Sequence, residues 1–402
     1  MRVLVADKLS SSVREALENV GCAVTVDTGI KGDALTAALE RTRPQVLVVR
    51  STEVRSAQLL ATTELGLVIR AGAGVNTIDV DVASQRGIYV ANCPGKNAVA
   101  VAELTMLHLL NLDRRLVDSA VELRAHRWNK AEYGKARGLN GRTLAVLGAG
   151  SIGLEVIRRA QAFGMRVRVW SHAFSPVDAE KLGVEYARSP RDACSGAHAL
   201  TIHLALVPQT RNLVGRELLE ALAPGAYVVN TSRGEVVDQA ALVEAIRSRG
   251  LRAGLDVYAE EPSGSCSEFP YAIADEPGVY GSHHIGASTD EAEDAVGEEV
   301  VRIVAAFLQK GEVPNCVNLA EKSPATHVLV IRHADRVGVL ATVLGALREH
   351  GVNVQEMENI VFSGAAAACA RIQIDGAPPP SALALITQSP DVYATSVVEL
   401  EA

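Results

Sequence analysis

The segment Thr143-Leu-Ala-Val-Leu-Gly148-Ala-Gly150-Ser-Ile-Gly153 joins a short apolar run to three glycines spaced G-x-G-x-x-G. A helical pattern follows and ends at Gly164, and a second apolar run occupies 165–170. This order predicts a strand–turn–helix–strand unit. Gly148 permits the tight turn, Gly150 lets backbone N–H groups approach an anion, and Gly153 lets the helix pack against the strand. The unit predicts a dinucleotide site, with the pyrophosphate at the helix N-terminus; a tight turn without a ligand is the alternative.

The composition is that of a globular protein with more than one domain. The chain has 402 residues, of which 48% are hydrophobic and 21% are charged, so two or three domains are expected. No run of 18 apolar residues is present, and the N-terminus is typical of a first strand rather than a signal peptide. The net charge of −8 argues against nucleic acid or an anionic membrane as the main partner.

Cysteine usage favours a reducing compartment. The six cysteines are scattered along the chain without paired spacing, so neither a disulfide framework nor a metal site is expected. These features together predict a cytoplasmic enzyme without a metal.

The rest of the chain alternates apolar strands with helical patterns, which predicts an α/β fold with parallel sheets covered on both faces. Two blocks show the alternation, and a helix is expected over 97–124 between them. After a linker at 322–324, the order βαββαβ predicts a small module of sheet and helices. The predicted strands are 3–5, 23–26, 46–49, 67–69, 88–90, 143–147, 165–170, 199–203, 226–230, 253–257, 327–332, 352–361, 366–374 and 396–400.

Polar clusters follow several of these strands directly. Arg50-Ser51 follows one strand, the run Arg70-Ala-Gly-Ala-Gly74 follows another, and Arg233-Gly234 comes after the strand that ends at Asn230. Ligands of parallel sheets sit at the carboxyl ends of strands, so these clusters are candidate anion contacts. A solvated surface charge is the alternative for either of the first two arginines.

Several motifs in a fixed order carry a family resemblance. They are Arg70-Ala-Gly-Ala-Gly-Val-Asn-Thr-Ile-Asp79, Lys96-Asn97, the glycine segment, Asn230-Thr-Ser-Arg-Gly234, Leu255-Asp-Val-Tyr-Ala-Glu-Glu-Pro262 and His283-His-Ile-Gly-Ala-Ser-Thr289. Over essentially its whole length the chain resembles the D-2-hydroxyacid dehydrogenases, and among them the phosphoglycerate dehydrogenases that carry a C-terminal ACT domain. The resemblance implies a discontinuous substrate-binding domain (1–97 and 287–318), an NAD(P)-binding Rossmann domain (98–286) and an ACT-like domain (325–402).

The resemblance also implies catalytic roles for three residues. Arg233 matches the arginine that grips the substrate carboxylate, a task suited to its planar guanidinium. His284 matches the acid/base that takes the hydroxyl proton. Glu261 matches the carboxylate that pairs with this histidine and fixes its tautomer.

Cofactor contacts are implied in the same way, beside Gly148, Gly150 and Gly153. Ser151 and Ile152 match the pyrophosphate turn, Thr231 matches the cofactor side of the arginine loop, and Asp256 matches the residue that bonds the nicotinamide carboxamide. Ser171 stands where NAD-specific relatives carry aspartate, and it cannot repel a 2′-phosphate. NAD is the expected cofactor, and NADP stays open.

Substrate contacts are implied for Arg50, Ser51, Gly74 and Asn97, where a phosphorylated hydroxy acid would place its charge. Glu53 departs from the family pattern, because phosphoglycerate dehydrogenases often have lysine there. The expected reaction is the NAD(P)-dependent oxidation of 3-phosphoglycerate to 3-phosphohydroxypyruvate, which opens serine biosynthesis. A related reductase of glyoxylate, hydroxypyruvate or a phosphonate analogue is one alternative, and a non-catalytic NAD-sensing corepressor is the other.

The C-terminal module resembles an ACT domain, which usually binds an amino acid. His333 and Asn353 match two polar positions of the serine-binding pattern, whereas Asp335 and Val337 stand where asparagine and proline are usual. L-serine is therefore a candidate effector, and a role in assembly alone is the alternative. The resemblance implies a homodimer or homotetramer.

Overall fold

A computed structural model describes residues 1–262, 268, 271–320 and 322–400. The contacts divide the chain into two compact units, Met1–Asn318 and Leu319–Ala402, and each is described by itself. The first unit contains two parallel sheets, and the second contains one antiparallel sheet.

The first sheet has five parallel strands in the order β2-β1-β3-β4-β5. Each residue of β3 is buried, as expected for a parallel sheet covered on both faces. Its strands are β1 (Arg2–Val5), β2 (Ala23–Val26), β3 (Val46–Val49), β4 (Leu67–Arg70) and β5 (Tyr89–Asn92), and its helices are α1 (Ser11–Asn19), α2 (Asp33–Thr42), α3 (Ser56–Leu60) and α4 (Val80–Gln85).

The second sheet has seven parallel strands in the order β12-β11-β10-β9-β6-β7-β8. Its helices are α5 (Ala98–Arg114), α6 (Leu116–Arg124), α7 (Lys130–Tyr133), α8 (Ser151–Ala162), α9 (Pro176–Leu182), α10 (Pro190–Cys194), α11 (Arg216–Ala221) and α12 (Gln239–Arg249). Its strands are β6 (Thr143–Leu147), β7 (Arg166–Trp170), β8 (Glu185–Tyr186), β9 (Ala199–Ile202), β10 (Tyr227–Asn230), β11 (Arg252–Leu255) and β12 (Val279–Gly281). The strand order reverses at β6, so the glycine turn lies at the switch point of the sheet, where such folds bind ligands.

A long helix, α13 (Asp290–Lys310), follows β12 and returns to the first sheet. Val300 and Ile303 pack with Val3 and Ile69 in one buried cluster. The core of the first sheet therefore combines residues that precede the second sheet in the sequence with residues that follow it.

The second unit is a four-stranded antiparallel sheet in the order β14-β15-β13-β16. Its elements are β13 (His327–Ala334), α14 (Val339–Glu349), β14 (Val354–Val361), β15 (Ala367–Ile374), α15 (Pro380–Thr387) and β16 (Val392–Glu399). Leu329, Ile331 and Ile372 form its buried core with Val343 and Ile386 of the two helices.

The predicted α/β fold class and the βαββαβ order of the last module are confirmed. The segment 97–124 is helical, as predicted, but it forms two helices, α5 and α6. Arg115 adopts a left-handed conformation (φ +49°) that ends α5. Its guanidinium donates to the carboxylate and the carbonyl of Glu132, both at 2.7 Å. The short strands β8 and β12 were missed because two or three residues carry too little pattern.

Within the described ranges, no helix is both long enough and apolar enough to cross a membrane. The same residues contain no group of three or more histidine, cysteine, aspartate or glutamate side chains that could hold a metal ion.

Candidate active site

Residues from both parallel sheets line one cleft in the first unit. Arg233, Glu261 and His284 lie in it together with Arg70 and Gly74. The arginine follows β10, and the glutamate and histidine lie in loops after β11 and β12, so three strand ends deliver the predicted catalytic side chains to one place. The distances between these three residues along the sequence could not show that their side chains lie together.

His284 and Glu261 form a hydrogen-bonded pair, with Nδ1 2.7 Å from Oε2. Glu261 also accepts the backbone N–H of Tyr258 at 2.9 Å, which folds the loop around the carboxylate. Burial by itself would raise the pKa of Glu261, but the hydrogen bonds from His284 and Tyr258 outweigh it and hold that pKa below its usual value. Because Nδ1 faces the carboxylate, Nε2 is the nitrogen free to meet a substrate proton.

Arg233 is held by its own loop. The amide of Asn230 donates to the Arg233 carbonyl at 2.9 Å, and its Oδ1 accepts the Ser232 N–H at 3.0 Å. Gly74 lies directly beside the Arg233 guanidinium: a Cβ there would stand 2.5 Å from Arg233 Nη2, so a side chain at 74 would displace the end of the arginine. At 234 a Cβ would stand 2.0 Å from the Tyr258 carbonyl carbon, so that glycine allows close packing of two loops rather than a turn.

A second, adjoining pocket is lined by Arg50, Arg70 and Asn97. Arg70 donates through Nε to the Arg50 carbonyl at 2.9 Å. Burial, followed by the charges of Arg233 and Arg50, lowers the pKa of Arg70 to about 10. Three guanidinium groups thus converge on one region, which favours an anionic ligand. Asn97 Oδ1 is buried without a hydrogen-bond partner among the described residues.

Asp7 organises the loop that carries Arg50 and Ser51. Its Oδ2 accepts the backbone N–H groups of Arg50 at 2.6 Å, Ser51 at 3.0 Å and Thr52 at 2.9 Å. Burial would raise the pKa of Asp7, but these bonds outweigh it and lower that pKa. The Arg50 guanidinium pairs with Glu293 at 2.7 Å. Ser51 is exposed and its hydroxyl is directed to Asp7 at 3.4 Å.

The glycine turn fits a dinucleotide. Gly148 has φ +101°, and a Cβ at Gly153 would stand 2.0 Å from the Gly148 carbonyl oxygen. A Cβ at Gly150 would meet nothing within 4 Å, and no side chain caps the helix that begins at Ser151. The first-turn N–H groups, which include those of Ser151 and Ile152, therefore have no side-chain cap at the positive end of a 12-residue helix. Both ring nitrogens of His203, beside this turn, are buried without a partner in the described part of the chain.

The other predicted cofactor contacts have protein partners. Thr231 Oγ1 lies 2.9 Å from Thr105 Oγ1, and Thr105 donates to Val101, so the Thr231 hydroxyl donates to Thr105. Asp256 is buried and accepts hydrogen bonds from Ser282, Ile285 and Gly286. Its contact with a nicotinamide carboxamide stays a prediction. Ser171 is half-buried directly after β7.

The two predicted effector residues, His333 and Asn353, have different hydrogen-bond partners. His333 is buried, with Nδ1 2.8 Å from the Ala334 carbonyl and Nε2 3.1 Å from Asn359 Oδ1. Asn353 is exposed, and its N–H donates to Asp375 at 3.2 Å. Among the described residues no hydrogen bond joins His333 to Asn353, so a shared site there stays a prediction.

Arg70 was predicted from the sequence as a candidate anion contact, whereas no role was predicted for Asp7 or Asn230. Each stands at or just after the end of a strand in the two parallel sheets, which is the signal that could have pointed to the last two as well.

The second sheet carries a glycine turn that fits a dinucleotide, and the cleft holds a paired imidazole and carboxylate beside a guanidinium. Together these features define the class of two-lobed, nucleotide-linked dehydrogenases. Two family models match the chain: the D-isomer specific 2-hydroxyacid dehydrogenase NAD binding domain over residues 106–286, and the ACT domain over residues 327–358. The chain belongs to the D-isomer specific 2-hydroxyacid dehydrogenase family, and the residues of its glycine turn fit the NAD that names the matched domain.

Two curated relatives are D-3-phosphoglycerate dehydrogenases. The one from Methanocaldococcus jannaschii is 36% identical over 322 residues, covering 79% of this chain and 60% of the relative. The one from Mycobacterium tuberculosis is 36% identical over 349 residues, covering 85% and 63%. The chain thus spans about 60% of the length of the curated relatives it matches.

Solved structures share the fold of the first unit. The TT0316 protein from Thermus thermophilus has a TM-score of 0.70 and 31% identity, covering 79% of this chain and 100% of that one. A glyoxylate reductase from Paecilomyes thermophila has a TM-score of 0.68 and 26% identity, covering 79% and 98%.

Proposed function

We propose that the protein is a D-3-phosphoglycerate dehydrogenase that oxidises 3-phosphoglycerate to 3-phosphohydroxypyruvate with NAD. The supporting observation is the convergence of Arg50, Arg70 and Arg233 beside the His284–Glu261 pair. A substrate with a carboxylate at one end and a phosphate at the other needs cations at two places, and these arginines provide them. The similarity to D-3-phosphoglycerate dehydrogenases supports the same reading.

The chain's residues divide the work. Arg233 grips the carboxylate and orients the C2 hydroxyl, and His284 accepts the hydroxyl proton at Nε2 as the C2–H bond breaks. Glu261 stabilises the imidazolium that forms. Bound NAD supplies the acceptor for the C2 hydride. Asn97 and the half-buried Arg70 bind the remainder of the substrate and exclude water from it.

A specific observation favours a second candidate, a dehydrogenase of an unphosphorylated 2-hydroxy acid such as those of the glyoxylate and hydroxypyruvate reductases. The guanidinium of Arg50 is already paired with Glu293, and Glu53 adds a carboxylate on the same loop, where it pairs with Arg55 at 2.9 Å. A phosphate would have to compete with Glu293 for Arg50. A non-catalytic NAD sensor is the less favoured role because the acid–base pair is intact.

The test is a panel of 3-phosphoglycerate, D-glycerate and D-lactate, each with NAD and with NADP, followed by absorbance of the reduced nicotinamide. We expect turnover of 3-phosphoglycerate with kcat/KM at least tenfold above that of D-glycerate. The reverse order would favour the second candidate, and no turnover on any acid would favour the sensor. Equal rates with NADP would show that Ser171, which carries no charge, leaves the 2′-position unselected.

We also propose that L-serine binds the second unit and that the protein is a homodimer or homotetramer working in the cytoplasm. The ACT match supports the first part. The test is an L-serine inhibition curve on the full chain, compared with the Asn353→Ala variant. Weaker inhibition in the variant is the expected result; no inhibition of either protein would leave the unit with a role in assembly alone.

A further inference from the structure

The loop that carries His284 has a strained backbone. His284 itself has φ +53°, in the left-handed region that residues other than glycine rarely adopt. It lies between β12 and α13. A side chain on such a loop keeps one orientation only if the surrounding contacts hold the backbone.

One buried residue, Asp256, holds this backbone. The carbonyl oxygen of Asp256 accepts the His284 N–H at 2.8 Å. Its Oδ1 accepts the Ile285 N–H at 2.9 Å, and its Oδ2 accepts the Gly286 N–H at 2.9 Å. Three successive N–H groups therefore end on a single residue that is 1% exposed. Successive N–H groups around a left-handed residue form a concave anion site. Here the Ile285 and Gly286 N–H groups bind an internal carboxylate, and the His284 N–H binds the carbonyl of the same residue.

Two further side chains are linked to the Asp256 carboxylate by hydrogen bonds. The Ser282 hydroxyl lies 2.7 Å from Asp256 Oδ1 and donates to it. Since that proton goes to the carboxylate, the Ser282 oxygen accepts from His108, whose Nε2 lies 3.1 Å away. The hydrogen of the neutral His108 ring is therefore on Nε2.

His108 is fixed in place by packing. It lies on α5 with 5% of its surface exposed, and a Cβ at Gly254 would stand 2.8 Å from the His108 Cβ. The bare backbone of β11 thus leaves the room that the imidazole fills. Burial lowers the pKa of His108 against the opposing charge of Asp256, in keeping with a neutral ring.

We propose that Ser282 and His108 are positioning residues of the reaction, which orient the Asp256 carboxylate so that it holds the His284 loop. The proposal rests on the proposed function, in which His284 accepts the proton. Among the described residues, neither Ser282 nor His108 lines the substrate cleft, so their loss should change kcat and leave KM. A merely structural buried hydrogen bond would change stability alone.

The first experiment compares Ser282→Ala with Ser282→Thr, which keeps a hydroxyl. Ser282→Ala is expected to lower kcat about five- to tenfold with KM for the hydroxy acid within about twofold, an effect comparable to one lost hydrogen bond. Ser282→Thr should recover most of the rate. His108→Leu should lower kcat in the same way, and His108→Gln, whose amide can donate, should recover part of it.

Tyr227→Phe is the matched control. It removes another buried hydroxyl that donates to a carboxylate, Asp113 Oδ1 at 3.0 Å, far along the same sheet from the loop. It should lower the melting temperature without changing kcat. Wild-type kcat in Ser282→Ala, or equal losses in the alanine and threonine variants, would overturn the proposal.

A second readout does not need turnover. In the cofactor-free full chain, amide hydrogen exchange over residues 282–288 should be faster in Ser282→Ala than in the wild type or in Tyr227→Phe. Unchanged amide exchange in Ser282→Ala would overturn the proposal that Ser282 helps Asp256 to hold the His284 loop. If the wild type oxidises none of the hydroxy acids, the proposed function fails, and the exchange comparison still decides whether Ser282 and Asp256 hold the loop.

Discussion

At the scale of single residues, the imidazole of His284 and the carboxylate of Glu261 form one acid–base unit. Their separation of 2.7 Å directs Nδ1 to the carboxylate and Nε2 to the cleft. His284→Ala should lower kcat by at least ~10²-fold, because a positioned base contributes about 10²–10⁴-fold. Steady-state kinetics on the preferred hydroxy acid provide the measurement.

Glu261→Gln offers the companion variant. It keeps the shape of the side chain and removes the charge that stabilises the imidazolium, so the loss in kcat should be smaller than that of His284→Ala. A near-normal rate in His284→Ala would remove the histidine from the mechanism, and the proton would need another acceptor.

The glycines of the dinucleotide turn differ in what a methyl group would meet. Gly153→Ala would place a Cβ 2.0 Å from the Gly148 carbonyl oxygen, whereas Gly150→Ala would place it in open space. In the cofactor-free protein, Gly153→Ala should lose about 1–3 kcal/mol of unfolding free energy through overpacking. Gly150→Ala, the control, should lose less than about 1 kcal/mol. Urea unfolding of both variants would show it, and equal losses would contradict the packing argument.

At the scale of elements, hydrogen bonds and an ion pair connect α13 to the end of β5 and to the residues that follow it. Glu299, 5% exposed on α13, accepts hydrogen bonds from Arg302 and Asn315 and pairs with Lys96 at 3.3 Å. Asn315 in turn donates to the Asn92 carbonyl at 3.3 Å. The hydrogen bond from Arg302, opposed by burial and aided by Asn315 and Lys96, lowers the pKa of Glu299 from 4.5 to about 2.

This depressed pKa predicts a pH dependence of stability. The carboxylate binds protons more weakly in the folded chain than in the unfolded chain, so its contribution is full above the unfolded pKa near 4.5. It should disappear as pH falls through about 2. The shift of the pKa from 4.5 to about 2 corresponds to about 3–4 kcal/mol at 1.36 kcal/mol per pKa unit. Because the Arg302 side chain is 54% exposed and solvent screens its charge, Glu299→Gln should lower the unfolding free energy by less, about 2–3 kcal/mol at pH 7. The difference from the wild type should shrink between pH 4.5 and pH 2; a constant difference across that range would count against the network.

At the scale of the whole molecule, an apolar face on α6 is exposed. Val117 and Val121 stand one helical turn apart, each 54% exposed, and Trp128 beyond the helix is 81% exposed. No residue of α6 is buried. Adjacent exposed apolar side chains of this kind mark association surfaces, and this face supports the proposed homodimer.

Val121→Glu should therefore raise the fraction of monomer measured by light scattering. The control is Val177→Glu, at an exposed valine (57%) on α9, which should leave the mass unchanged. Equal masses for all three proteins, dimeric or larger, would remove α6 from the interface.

Sequence predicted the elements of this molecule more completely than its contacts. Val46–Val49 matches its predicted bounds because a short apolar run defines a buried strand. Ala23–Val26 also matches, although it is an edge strand with mostly exposed side chains. The helical segment 97–124 was predicted, but its division at Arg115 was not. The Arg115 side chain contacts Glu132 and the ring of Tyr133, and the local helical pattern does not contain these residues. In the site, the identities of Arg233, Glu261 and His284 came from a family resemblance, whereas their meeting came from the three strand ends.

The amino-acid sequence by itself determined the α/β class and the glycine turn, because periodicity and glycine placement act over a few neighbouring residues. The residues of the acid–base pair were predicted from the motifs that resemble a family. Only the tertiary structure decided three other contacts. Asp7 holds the Arg50 loop, and Glu293 forms an ion pair with Arg50. His108 is linked to Asp256 by hydrogen bonds through Ser282. Hydrogen bonds of 3 Å between side chains distant in sequence depend on strand order and helix placement. Strand order and helix placement cannot be predicted from a local pattern of residues.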